Sequence, residues 1–346
     1  MRRLIIIGML LFSLTFPASA SGIVAPEVPD DVQHLLPQKD ADFGSGLWSI
    51  IKEAIFQVQP QVASGIKLCL EVIGTILVLS LLQSFKGKSK SVVEFGGVLA
   101  VACILLNKSH SLVGMGMDTV WNISAYGKML LPVMTAALAA QGGSITAASM
   151  YTATCLFDAL LSSLISSVMI PLVYIYIVLC IMNAATGDAL LSKVRNFTKW
   201  ITTWCLKLIL YVFTGYISIS GIISGAADQT AIKAAKLTIS GAIPVVGNIL
   251  SDASETVLVS AGVVKNAVGT YGLLAVIAVT IIPFISIAVH YFLIKVTAVI
   301  SSVFAPKTIS DLVDDISGAM GLVLAMVGSV SLIQLISVVC FLKGMT

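Results

Sequence analysis

Charge is scarce in this sequence. Asp, Glu, Lys and Arg make up 11% of its 346 residues, against about 25% in a soluble domain. Hydrophobic residues make up 58%, and the mean hydropathy is +1.02. A soluble fold has no way to bury that much apolar surface, so several membrane spans joined by short loops are expected.

Other absences narrow the chemistry. His34, His110 and His290 have no metal-ligand spacing, and none of the six cysteines forms a C-x-x-C pair; neither a zinc nor an iron site follows. There is no P-loop, G-x-G-x-x-G, H-E-x-x-H or nucleophile elbow. No catalytic, cofactor-binding or metal-binding residue is therefore assigned and no cofactor is expected, so any energy source is a partner or an ion gradient. A net charge of +3 is too small and scattered for nucleic-acid binding.

What is present reads as a multi-span chain. Residues 1–20 carry Arg2 and Arg3, an apolar run and Ala18-Ser19-Ala20, the pattern of a signal peptide cleaved after Ala20. Residues 21–61 form a polar extracytoplasmic arm. Its second half repeats Leu47, Ile50, Ile51, Ala54, Ile55 and Val58 at helical spacing. That predicts an amphipathic helix ended by Pro60, lying on the outer leaflet, on a partner or on the protein's own loops.

Residues 62–346 form the membrane domain, with spans expected over about 66–85, 92–106, 158–182, 200–223, 271–294 and 318–342. Lys86, Lys88 and Lys90, and then Lys193, Arg195 and Lys199, mark cytoplasmic turns. The Gly-rich stretch 107–151 reads as a re-entrant element on the outer side. The fold class is thus all-α, a polytopic helical membrane protein.

Four prolines are candidate helix breaks: Pro132, Pro171, Pro244 and Pro283. The pairs Pro132/Pro244 and Pro171/Pro283 have the same 112-residue offset, which points to a weak same-orientation repeat. Glu71, Glu94, Asp158 and His290 are the ionisable residues nearest to membrane depth. Such residues face a bundle interior or a watery path, although snorkelling explains those near span ends. Asp252 and Glu255 form the most distinctive polar cluster, either a partner contact or a helix-capping pair.

At that cluster the chain becomes specific. The runs Ala242-Ile243-Pro244-Val245-Val246-Gly247, Ser251-Asp252-Ala253-Ser254-Glu255-Thr256-Val257 and Lys265-Asn266-Ala267-Val268-Gly269 resemble stage III sporulation protein AE of endospore-forming bacteria. The resemblance covers most of the chain and is sharpest from Gly241 to Pro283. It implies a multi-pass protein of the mother-cell membrane surrounding the forespore. Its implied partners are the other membrane proteins of the stage III sporulation A operon, including ring-forming subunits, a separate cytoplasmic ATPase and, indirectly, a forespore membrane protein. It implies a role in a secretion-like channel that feeds the forespore, and it carries over no catalytic residue. A stand-alone secondary transporter for a small solute is the alternative, and a structural anchor for the rings is a third reading.

Overall fold

The computed structural model describes residues 26, 28, 33–36, 43–84, 90–140, 142–242 and 247–343, with side chains described for these residues other than 83–91 and 220–267. The signal-peptide segment, much of the arm before Phe43 and Pro244 lie outside the described residues, as do the side chains of Asp252 and Glu255.

After a 3-10 turn at Gln33–Leu35 come α1 (Phe43–Ser84), α2 (Lys90–Ala140), α3 (Ser144–Leu164), a π turn (Ile165–Met169), α4 (Ile170–Thr186), α5 (Ala189–Ala242), α6 (Gly247–Phe304) and α7 (Lys307–Lys343). No strand occurs among the described residues. With α3 and α4 joined end to end, these are six rods, each long and apolar enough to cross a membrane. The protein is a multi-pass, all-helical membrane protein.

The rods are longer than the expected spans. The shortest, α7, has 37 residues and measures about 55 Å at ~1.5 Å per residue, against a hydrocarbon core of roughly 30 Å. Three expectations are corrected here. Pro60 does not end a surface helix: α1 runs through it, and of the predicted amphipathic stripe Ile50, Ala54 and Val58 are buried while Ile55 is exposed. The stretch 107–151 is not a separate Gly-broken element: it is the second half of α2, unbroken to Ala140, and the start of α3 from Ser144. Pro132 and Pro283 lie inside α2 and α6 and interrupt neither. A helix-interior proline costs about 3 kcal/mol by itself, but each of these sits in a long helix packed against several others, and packing decides.

Pro171 behaves differently. Its ring cannot donate to the Ser167 carbonyl and crowds it, and the wider π turn that ends two residues before it accommodates the misfit. The Ser166 and Ser167 hydroxyls both donate to the Ser163 carbonyl in the same place. The 112-residue offset therefore superposes a re-registered rod on an unbroken α6.

Short turns fold the rods back on themselves. Gly187 takes a left-handed conformation (φ 70°, ψ 17°) and donates to the Asn183 carbonyl at 2.8 Å, closing α4. Asp188 Oδ1 then accepts from the Leu190 amide at 2.8 Å and starts α5. Thr308 Oγ1 donates to Glu94 Oε1 at 2.7 Å, so α2 and α7 begin at one end of the bundle. Arg195 pairs with Asp315 at that end too.

The most deeply packed rod is α7, which contacts α2 to α6 and has its broadest interface with α6. Serines at 310, 317, 329, 331 and 337 are buried along it, while Leu70, Phe292, Val303 and Tyr211 on other rods are exposed. Polar side chains inside and large apolar ones outside is the distribution expected where the surroundings are lipid.

Candidate functional site

A polar seam crosses the core where α2, α3 and α7 meet. The α7 serines satisfy themselves locally: Ser329, Ser331 and Ser337 donate to the carbonyls one turn earlier at 2.7–2.8 Å. Gln334 has no such option, because an amide carries two donors and an acceptor on a longer stem. It is fully buried and reaches across to α3, where Nε2 donates to Asp158 Oδ1 at 3.1 Å.

Asp158 is 3% exposed. Its other oxygen, Oδ2, accepts from Ser124 Oγ on α2 at 2.6 Å. One turn earlier on α3, Thr154 Oγ1 donates to Ser337 Oγ at 2.8 Å. Residues 154 and 158 share a face of α3, and 334 and 337 share one of α7, so the two links stack into a ladder. Gly127 opens the space: a Cβ there would collide with the Gln334 amide.

The ladder leaves atoms over. Gln334 Oε1 and the Tyr126 hydroxyl are buried without a hydrogen-bond partner, and Asp158 has no ion-pair partner among the described residues. A carboxylate held only by neutral donors at this depth is expensive, by several kcal/mol before its hydrogen bonds are counted.

The structure does not bring the four ionisable candidates together. Asp158 lies mid-rod and not at a span entrance. His290 is fully buried on α6, where its Nδ1–H donates to the Ser286 carbonyl at 2.8 Å while Nε2 has no partner. Gly65 of α1 packs over that ring, with a Cβ position 3.6 Å from Nε2. Glu94 is bound by Thr308 at the bundle end, and Glu71 is exposed on a groove between α1 and α2. Sequence reasoning missed Ser124 and Gln334. The available signal for Gln334 was a lone amide within the apolar run 318–342.

No cluster of three or more His, Cys, Asp or Glu side chains that could hold a metal occurs among the described residues.

Comparison with known proteins places this architecture. Residues 31–344 match the family described as stage III sporulation protein AE. The chain belongs to the stage III sporulation protein AE family. A relative from Bacillus subtilis (strain 168), itself named stage III sporulation protein AE, is 27% identical over 263 residues, covering 75% of this chain and 66% of that protein. No solved structure matches. The family match takes in α2, α3 and α7, the three helices that build the ladder.

Proposed function

We propose that the protein is a membrane subunit of a secretion-like channel between mother cell and forespore, sited in the mother-cell membrane that surrounds the forespore. It has no catalytic role of its own in this reading. Energy comes from a separate cytoplasmic ATPase, and the other stage III sporulation A-operon membrane proteins, ring-forming subunits included, complete the conduit and reach a forespore membrane protein. The observation that carries the reading is the family match over residues 31–344. The sequence agrees, having no nucleotide-binding motif of its own.

The test is deletion of the gene in its host with complementation, scored by forespore development and by recovery of the operon's other membrane proteins with a tagged copy. Arrested forespores and co-recovery are expected; normal spores from the deletion strain overturn the proposal.

Buried Asp158 favours a second reading, ion-coupled transport of a small solute, since intramembrane carboxylates serve such cycles. Purified protein in liposomes distinguishes the two. Gradient-driven solute flux by the protein alone, abolished by Asp158→Asn, supports the transporter, whereas flux that requires the other operon proteins supports the channel subunit.

A further inference from the structure

Between α1 and α2 lies a groove of about 320 Å³ lined by Ser64, Lys67, Glu71, Asn107, Lys108 and Ser111. None of its three charges has an ion-pair partner among the described residues. Lys67 and Glu71 stand one turn apart on α1 yet do not pair, and Lys108 Nζ donates only to the neutral Ser64 hydroxyl at 3.1 Å. The groove thus presents two cations and one anion.

Its height in the bundle is fixed by a contact. Cys69, between Lys67 and Glu71, has its thiol 3.5 Å from the Leu293 carbonyl, and Lys295, two residues on, pairs with Asp314. The groove lies at the level of this ion pair. Ile66, Leu70 and Leu106 flank it as exposed apolar side chains. A polar floor, unpaired charges and apolar flanks together match an amphiphile and not a free ion.

We propose that this groove binds the headgroup of a phosphatidylethanolamine-class lipid, with Lys67 and Lys108 on the phosphate and Glu71 on the ammonium. Basic pockets between membrane helices hold lipid phosphates, and charge-assisted hydrogen bonds are the strong ones. Glu71 sets the specificity: it repels a headgroup that is only anionic and pairs with one carrying its own cation. The acyl chains lie along Ile66, Leu70 and Leu106. Ser64 and Asn107 supply neutral donors beside the phosphate.

The experiment uses the full chain purified in detergent, delipidated and titrated with dioleoyl phosphatidylethanolamine, phosphatidylglycerol or phosphatidylcholine, with binding read by native mass spectrometry. The phosphatidylethanolamine lipid is expected to bind about tenfold more tightly than phosphatidylglycerol, a difference of about 1.4 kcal/mol. Lys108→Gln weakens both lipids, Lys67→Gln does the same, and Glu71→Gln removes the preference between them. Soluble phosphoethanolamine competes weakly, because it brings no acyl chains. Equal binding of the two lipids by the unsubstituted protein overturns the proposal, as does a preference that survives Glu71→Gln. Full competition by soluble phosphoethanolamine at equal concentration overturns the lipid as occupant.

Discussion

Gln334 Nε2 and Asp158 Oδ1 meet at 3.1 Å across 176 residues of sequence, joining the last rod to the third in the middle of the bundle. Each partner is the other's means of avoiding an unsatisfied buried group, so the two substitutions should not act independently. Gln334→Leu leaves the carboxylate with Ser124 alone and is expected to lower stability by about 1–3 kcal/mol. Asp158→Leu strands the amide and costs a similar amount. The double variant should cost clearly less than the sum, since both polar groups are then gone. Denaturant titration in mixed micelles measures all three; strictly additive losses would mean that the contact contributes no coupling.

Gly114 and Gly116 are two residues apart on α2 and face different surroundings. A Cβ at Gly114 meets nothing within 4 Å, whereas one at Gly116 collides with Val323 Cγ1 on α7. Gly116→Ala is therefore expected to destabilise by about 1–3 kcal/mol through overpacking, and Gly114→Ala to be neutral or to stabilise by up to ~1 kcal/mol through helix propensity. Thermal unfolding of the two variants in one detergent decides it. A loss at Gly114 as large as that at Gly116 would show that α2 does not approach α7 as described.

The same glycines explain what was legible in the sequence. Six apolar runs announced six membrane-crossing rods, because hydropathy over some twenty residues is a local quantity. Rod length was not legible. Gly114, Gly116, Gly127 and Pro132 read as interruptions from local propensity, yet Gly116 and Gly127 are approach points where α7 presses on α2. Packing partners more than 200 residues away turned apparent breakers into contacts. Asp158 was visible as an ionisable residue, but its partners lie 34 and 176 residues off and share no local pattern with it. His290 stood out as the single ionisable residue of its run, and its burial follows from that isolation.

The ladder makes a geometric prediction as well. Thr154 and Ser337 have hydroxyl oxygens 2.8 Å apart, which brings their β-carbons close to the separation that a disulfide spans. In a background without the six native cysteines, Thr154→Cys with Ser337→Cys should cross-link on mild oxidation. Thr154→Cys with Ser317→Cys should not, because residue 317 lies about 30 Å further along α7. A gel shift after protease nicking between the rods reads the result, and equal cross-linking of both pairs would mean that α3 and α7 are not held in this register.

Orientation is the last expectation, and it separates the two ends of the bundle. Lys193, Arg195 and Lys199 follow the α4–α5 turn, and basic residues near a span end favour the cytoplasmic side. Arg195 is paired with Asp315 and Lys295 with Asp314, but the tendency counts basic residues and is largely blind to acidic ones. Ala189→Cys should therefore be protected from a membrane-impermeant thiol reagent in intact cells and react once they are permeabilised. Ser144→Cys, at the far end of a 43-residue rod, should react at once. Because consecutive rods alternate in direction, α6 begins at the Ser144 end, and with it the Asp252 and Glu255 stretch. Labelling at 189 with protection at 144 would turn that stretch toward the cytoplasm. A partner docking there would then be cytoplasmic, and an interface facing the intermembrane space would lose its place on the molecule.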